Sequence, residues 1–225
     1  MKYAAALALL FGVQATAQAQ VQTDEIYPNT YVSLQAGAQT TFTAYNNWKL
    51  ITPQFAASVG HWMAPQFGVR LHVMGYQNKG GFRQVAYGRE WGPSTYKFKA
   101  ATADVDFMVN MSNVFDPHRT SQAWNWILLA GFGVNYAWDF DDFNCLTSTM
   151  PLYHEYSCSE TKHSSFNGRL GTMIEYNISR KVAVNLELQA NYKNDVYNLR
   201  MSNDCDWQVA ALLGLSYRFG TKAKD

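Results

Sequence analysis

The chain has 225 residues, of which 48% are hydrophobic, 15% aromatic and only 16% charged. Its formal net charge of +1 lacks the basic surplus that a nucleic-acid-binding protein needs. After the first twenty positions no apolar run reaches 18 residues, which argues against a membrane-spanning helix.

The first residues have the pattern of a secretory signal peptide. Lys2 gives a positive start, residues 4–13 are apolar, and Ala17-Gln18-Ala19 is a small-x-small cleavage site. We therefore expect residues 1–19 to be removed and residues 20–225 to form a single domain. The mature chain then has 17 basic and 17 acidic residues, a balance of zero.

Eight segments of the mature chain alternate between apolar and polar residues, which is the period of a β-strand. In chain order they cover residues 30–42, 53–63, 67–77, 96–111, 124–138, 165–178, 182–192 and 207–219. The second alternates weakly, and its faces cannot be assigned. The third sets Val69, Leu71 and Val73 against a face with Arg70, His72, Met74 and Tyr76. The seventh, VAVNLELQANY, alternates almost without error.

The connections between these segments also alternate in length. Short ones lie around residues 64–66, 116–118 and 179–181, and long ones cover residues 43–52, 78–95, 139–164 and 193–206. One end of the predicted sheet therefore carries short turns and the other carries long loops.

Two all-β architectures share this pattern, because a soluble lipocalin-like barrel points its apolar residues inward and a membrane barrel points them outward. The polar faces here carry mostly Asn, Gln, Ser and Gly, with about as many acids as bases, which suits an enclosed lumen. Strands of eleven or more residues suit a tilted crossing of a hydrocarbon core of roughly 30 Å. We therefore predict an eight-stranded antiparallel up-and-down transmembrane β-barrel, closed because lipid cannot satisfy an open sheet edge.

This fold assigns roles to the aromatic and charged residues of the strands. Aromatic girdles are expected where the barrel meets lipid headgroups, with Trp124, Trp126, Tyr217 and Phe219 near the short turns and Trp138 and Trp207 near the long loops. The predicted lumen network consists of Arg70, Asp104, Asp106, Arg169, Glu175, Glu187 and Arg218. Since side chains can fill an eight-stranded barrel, we expect these charges to pair; a gated path for small ions is the alternative.

Two segments carry a family resemblance, GHWMAPQFGVRLHVMGY (60–76) and DVDFMVNMSNVFDPHRTSQAWNWILLAGFGVNYAW (104–138). They contain a G-x-W-x-x-P-x-x-G-x-R run and a D-x-x-x-N-x-x-N-x-F run. The chain resembles the small outer-membrane β-barrel proteins of Bacteroidetes-type Gram-negative bacteria, related in fold to the OmpA transmembrane domain and to OmpX. Its GLSYRFG ending is similar to the signal read by the barrel-insertion machinery. The resemblance implies an outer-membrane address with both termini periplasmic, and it names no substrate.

Three cysteines are present in a chain that export would carry to an oxidising compartment. Cys145 and Cys158 bracket a turn-rich segment, and we expect them to form a disulfide, with Cys205 as the competing partner. His154 and His163 lack the spacing of a zinc site, and no cofactor or metal is expected.

The sequence gives little support for catalysis. His163 precedes Ser164 and Ser165, but a hydrolase also needs an acid that orients the histidine. Glu175 is ten or more residues along the same strand, roughly 35 Å away at about 3.3 Å per residue. The three acids Asp139, Asp141 and Asp142 lack the glycine turn and the terminal glutamate of a calcium loop. We therefore expect a protein that is not an enzyme.

The long loops carry exposed-type aromatic residues among Asn, Ser and Gly: Trp48, Trp91, Tyr153 and Tyr156. Such residues are frequent recognition elements, although they also pack on one another over a barrel mouth. We expect a structural or surface-interaction role, with outer-membrane lipid and a membrane protein or extracellular ligand as partners. The alternatives are a narrow pore, an accessory subunit of a larger outer-membrane complex and, third, a lipid-modifying enzyme.

Overall fold

The computed structural model describes residues 27–42, 50–81, 85–86, 89–90, 95–118, 123–141, 162–193 and 206–219. Eight strands of this part of the chain close into an antiparallel barrel, and two short strands form a separate sheet. The strands are β1 Asn29–Phe42, β2 Thr52–Trp62, β3 Phe67–Gly81, β4 Val85–Ala86, β5 Arg89–Glu90, β6 Thr95–Asn110, β7 Trp124–Asp141, β8 Lys162–Asn177, β9 Val182–Lys193 and β10 Asp206–Phe219, and one short helix, α1, covers Met111–Phe115. The predicted eight-stranded antiparallel barrel is confirmed.

The register of the barrel sets the tilt of its strands. Paired residues followed once around the barrel from Tyr31 lead back to Thr41, ten residues farther along β1. This stagger tilts the strands by about 40° to the barrel axis, at about 3.3 Å per residue and about 4.8 Å between strands. The strand β9 therefore rises about 28 Å along the axis, close to the height of the apolar band of an outer-membrane barrel.

Alternation along each strand separates an apolar exterior from a polar interior. In β9, Leu186 and Leu188 are about half exposed, whereas Asn185, Glu187 and Gln189 are buried inside. Branched and aromatic side chains favour the pleated conformation and cover the outer surface. The outward direction of the apolar residues, predicted for a membrane barrel, is confirmed. The second strand follows the same rule, with Phe55 and Val59 outside and Gln54 and Ser58 inside.

The two ends of the barrel differ. At what we call the short-turn end, residues 63–66 join β2 to β3, residues 178–181 join β8 to β9, and α1 lies between β6 and β7. The side chain of Asn110 caps α1 by accepting the Asn113 N–H, and the Trp126 N–H donates to Ser112 Oγ at 2.9 Å. The first residue of β1 and the last of β10 lie at this end, and the long connections lie at the opposite, loop end. No helix in the described ranges is long and apolar enough to cross a membrane.

Three details differ from the sequence-based expectation. The strand β6, which corresponds to the fourth predicted segment, ends at Asn110 instead of Met111, because α1 begins at Met111 and is capped by the side chain of Asn110. Tyr76, expected on the inner face, is 54% exposed and packs edge-on against Phe55 of the outer surface, with ring centroids 5.4 Å apart. Gly75, the backbone partner of Phe55, has no side chain and leaves the tyrosine ring this path. The strand β3 also runs to Gly81, four residues farther into the loop end than predicted, because its residues 78–81 are polar or glycine and the apolar alternation is lost there.

Candidate functional site

The seven charged residues predicted for the lumen all lie on the inner wall of the barrel, and none is more than 3% exposed. They come from five different strands, so the register of the closed barrel decides which of them meet. They form one central network and one separate pair. The set is Arg70, Asp104, Asp106, Arg169, Glu175, Glu187 and Arg218.

Arg70 lies at the centre of the network between two carboxylates. Its Nε and Nη2 atoms donate to Asp106 Oδ2 at 2.9 and 2.6 Å. On its other side, Nη1 and Nη2 donate to the two oxygens of Glu187 at 2.8 and 2.9 Å. Glu187 also accepts from Gln35 Nε2 at 3.0 Å. This bidentate arrangement is the geometry that compensates the cost of burying a guanidinium.

Arg169 extends the network towards the loop end. It forms ion pairs with Asp104 and, at 3.2 Å, with Asp106, so that Asp106 bridges the two arginines. Its Nε donates to Asn191 Oδ1 at 3.1 Å, and Asn167 Nδ2 donates to Asp104 at 2.7 Å. We call Arg70, Asp104, Asp106, Arg169 and Glu187 the lumen ion network. Its members hold one another across the barrel axis, which ties opposite walls together.

The second ion pair joins Arg218 of β10 to Glu175 of β8, near the short-turn end. Near the loop end, Lys193 Nζ donates to Asn135 Oδ1 at 3.1 Å, and Thr102 Oγ1 donates to the same oxygen at 2.8 Å. Polar contacts therefore continue along much of the interior on either side of the lumen ion network.

An apolar cluster inside the short-turn end was not predicted. It consists of Tyr31, Trp62, Met108, Ile127, Leu129 and Met173, each at most 4% exposed. The Tyr31 hydroxyl donates to Met108 Sδ at 3.2 Å. The sequence held a signal, because Ile127 and Leu129 share the parity of the polar inner residue Asn125. We call this group the lower apolar cluster; its bulky side chains are buried against one another inside the barrel.

Two glycines of β7 make room for the carboxylates of the network. A Cβ at Gly131 would lie 2.1 Å from Asp106 Oδ1, and one at Gly133 would lie 2.0 Å from the backbone oxygen of Ala103 and 2.5 Å from Asp104 Oδ1. Both glycines pair directly with these acids, Gly131 with Asp106 and Gly133 with Asp104. These two glycines thus have a packing function, because they leave space for the side chains of Asp104 and Asp106.

His72 is a histidine of the inner wall next to this network. It is fully buried, it is the backbone partner of Ser58 and Asp104, and neither of its ring nitrogens bonds to a described residue. Those ranges also contain no group of three His, Cys, Asp or Glu residues arranged to hold a metal ion.

The six girdle residues lie on the outside near the two ends, with Trp138 half-buried and the others 42–51% exposed. At the short-turn end the rings of Tyr217 and Phe219 are 5.1 Å apart, and Trp124 contacts Tyr176 at 4.6 Å. At the loop end Trp207 contacts Tyr192 at 5.5 Å and Trp138 contacts Tyr136 at 5.6 Å. The residues concerned are Trp124, Trp126, Trp138, Trp207, Tyr217 and Phe219.

Several predicted features lie outside the described residues: the signal peptide at 1–19, the three cysteines Cys145, Cys158 and Cys205, and the loop aromatics Trp48, Trp91, Tyr153 and Tyr156. They stay predictions. Of the hydroxyl pair weighed for catalysis, Ser164 is exposed and Ser165 is buried on the opposite face of β8, so the two do not share one site.

No protein-family model matches the chain. Among curated proteins, it is 24% identical over 211 residues to Outer membrane protein 40 of Porphyromonas gingivalis; the match covers 88% of this chain and 49% of that protein, so the chain spans about half the length of this relative. Among solved structures, it is similar to Neisserial surface protein A, with 14% identity, a TM-score of 0.54, and coverage of 84% of this chain and 97% of the other. It is also similar to Ail of Yersinia pestis, with 12% identity, a TM-score of 0.50, and coverage of 86% and 100%.

These similarities agree with the resemblance stated from the sequence. The two solved structures support the fold, and the curated relative is an outer-membrane protein. Together with the apolar exterior, they indicate that the chain is a β-barrel of the outer membrane of a Gram-negative bacterium.

Proposed function

We propose that this protein is a closed barrel that anchors and displays its long loops at the cell surface, in a structural or surface-interaction role. The observation that carries the proposal is the filled interior. The lumen ion network and the lower apolar cluster occupy the space that a water-filled channel would need. A barrel without a channel has its loops as its main accessible feature on the far side of the membrane.

Orientation follows from the unequal ends of the barrel. Outer-membrane barrels have short periplasmic turns and longer extracellular loops. The short-turn end, with the start of β1 and the end of β10, would therefore face the periplasm. The loop end would carry the predicted recognition residues Trp48, Trp91, Tyr153 and Tyr156 to the outside.

Conductance in planar lipid bilayers tests the closed state. We expect no discrete steps from the wild-type barrel, because the lumen ion network and the lower apolar cluster occupy its interior. Regular steps from the wild-type protein would contradict the proposal and favour the narrow pore. A mass shift of lipid A on expression would instead favour the lipid-modifying enzyme.

Binding by the loops needs a chemically defined probe. Ail, one of the similar solved structures, is described in complex with a heparin analogue, sucrose octasulfate, so immobilised heparin is a suitable first choice. We expect the wild-type barrel to be retained and the Trp48→Ala/Trp91→Ala and Tyr153→Ala/Tyr156→Ala variants to elute earlier, with unchanged heat-modifiable gel migration. Equal elution of all three proteins would remove these aromatics as recognition residues.

A further inference from the structure

Three lysines lie together on the outer surface of the barrel at the loop end. Lys97 and Lys99 of β6 are exposed, and Lys79 of β3 is half-buried. Lys79 is the backbone partner of Lys97, and Gln77 is the partner of Lys99, so all three lysines stand on the outward face of the sheet. We call these three residues the lysine patch.

The lysine patch has an excess of positive charge. Directly opposite residues of an antiparallel pair have Cβ atoms about 5 Å apart, and like charges placed there are destabilising. Lys99 is paired with Asp139, with Nζ and Oδ2 2.6 Å apart, and Asp141 is the backbone partner of Lys97. The three lysines outnumber these two aspartates, and an added anion between Lys79 and Lys97 would relieve the repulsion of these paired residues.

The surroundings of the lysine patch place it at the membrane–water boundary. Trp138 is the backbone partner of Lys99, and Tyr136 is the partner of Ala101 two residues nearer the membrane centre. Their rings stack with centroids 5.6 Å apart. Aromatic rings of this kind mark the headgroup level of a barrel, so the lysines beside and beyond them are level with lipid phosphates.

Between the lysine patch and the membrane centre, the outer surface is apolar and is formed by small side chains. Ala101 and Ala103 continue the outward face of β6 towards the membrane centre, and Gly75 is the partner of Ala101. Val73 and Val134 flank Ala103 on the two neighbouring strands. The lysine patch could contact an anionic group, and the shallow strip below it could contact hydrocarbon chains. A molecule that carries both would therefore match this surface.

We propose that the lysine patch binds the phosphate of a phosphorylated glycolipid of the outer leaflet, whose acyl chains lie along the strip at Ala101 and Ala103. The proposal rests on the outer-membrane orientation given above, and it is independent of whether the lumen conducts or the loops bind a ligand. The attraction is electrostatic, so it weakens as ionic strength rises.

Native mass spectrometry of the full chain folded in detergent tests the proposal, with bisphosphorylated lipid A as the probe. Each lysine near such a surface contributes about 1 kcal/mol, so the Lys79→Gln/Lys97→Gln variant should bind about 30-fold more weakly than the wild type. The matched control is Arg180→Gln/Lys181→Gln, which removes two exposed charges at the short-turn end and should leave the affinity unchanged. Heat-modifiable migration checks that both variants are folded.

The lipid arms separate the possible sources of the signal. Dephosphorylated lipid A should bind the wild type as weakly as the intact lipid binds the Lys79→Gln/Lys97→Gln variant. Excess inorganic phosphate should displace little lipid, because it lacks the acyl contacts. Equal loss of binding in the two variants would indicate a general charge effect and overturn the site, as would full binding by the Lys79→Gln/Lys97→Gln variant or full displacement by inorganic phosphate.

Discussion

Replacing Arg70 by methionine gives the sharpest test of the lumen ion network. The substitution keeps most of the side-chain volume and removes four hydrogen bonds of 2.6–2.9 Å to two buried carboxylates. Asp106 keeps its contact with Arg169 at 3.2 Å, but Glu187 loses its cation and retains the hydrogen bond from Gln35. Because breaking a buried pair leaves an uncompensated charge, we expect Arg70→Met to lower the free energy of unfolding by about 3–5 kcal/mol.

A double-mutant cycle separates this effect from a simple loss of packing. Adding Glu187→Leu removes the stranded carboxylate, and an apolar replacement of a buried pair is often neutral, so the double variant should recover to within about 1.5 kcal/mol of the wild type. The matched control is Lys99→Met, which breaks the exposed pair with Asp139, whose side chains are 57% and 50% exposed, and should cost less than about 1 kcal/mol.

Urea unfolding in lipid-free detergent gives these free energies, followed by tryptophan fluorescence and by loss of heat-modifiable migration. The reasoning is refuted if Arg70→Met costs no more than Lys99→Met. It is also refuted if Glu187→Leu adds its own loss to that of Arg70→Met instead of compensating it.

Three further predictions concern separate parts of the molecule. Gly133→Ala should destabilise the barrel by about 1–3 kcal/mol because its Cβ meets the Ala103 oxygen at 2.0 Å, whereas Gly168→Ala, with its nearest contact at 3.9 Å, should be neutral in the same urea titration. Leu213→Lys, in the middle of the outer face of β10, should lower the free energy of unfolding in lipid vesicles by about 2–4 kcal/mol. Tyr217→Lys, near the girdle, should lower it by only about 0–1 kcal/mol. The intact mass of the exported chain should show one disulfide, and peptide mapping should join Cys145 to Cys158; two free thiols there would disprove that pairing.

The fold could be predicted from the sequence because lipid and lumen impose opposite polarity on neighbouring residues. In β9, the outward position of Leu186 and the inward position of Glu187 follow from the sequence without any knowledge of the partner strands. The same reading placed Arg70 and Glu187 in the lumen, but it could not say that they touch. Their contact joins residues 117 positions apart and depends on the ten-residue stagger, which no single strand reveals.

Two other features were not predicted, because they depart from the polar–apolar alternation for reasons that depend on tertiary packing. The lower apolar cluster breaks the rule that inner residues are polar, since bulky side chains fill the lumen between the two groups of paired charges. Tyr76 breaks the alternation because a ring can reach across the glycine beside it to Phe55. Alternation records the average solvent on each side of a strand, and it does not record which side chain fills a particular gap.

The direct pairing of β1 with β10 has a consequence for how the protein is made. The first strand to be synthesised finds one of its two hydrogen-bonding neighbours only when the last has emerged, because Thr30 pairs with Phe219 and Phe42 with Trp207. Until then both margins of the nascent sheet keep unsatisfied amide and carbonyl groups that hydrocarbon cannot solvate. Chaperoning in the periplasm must therefore last until translation and export are complete, and a premature stop codon anywhere before β10 leaves a chain that cannot enter the bilayer as a finished cylinder.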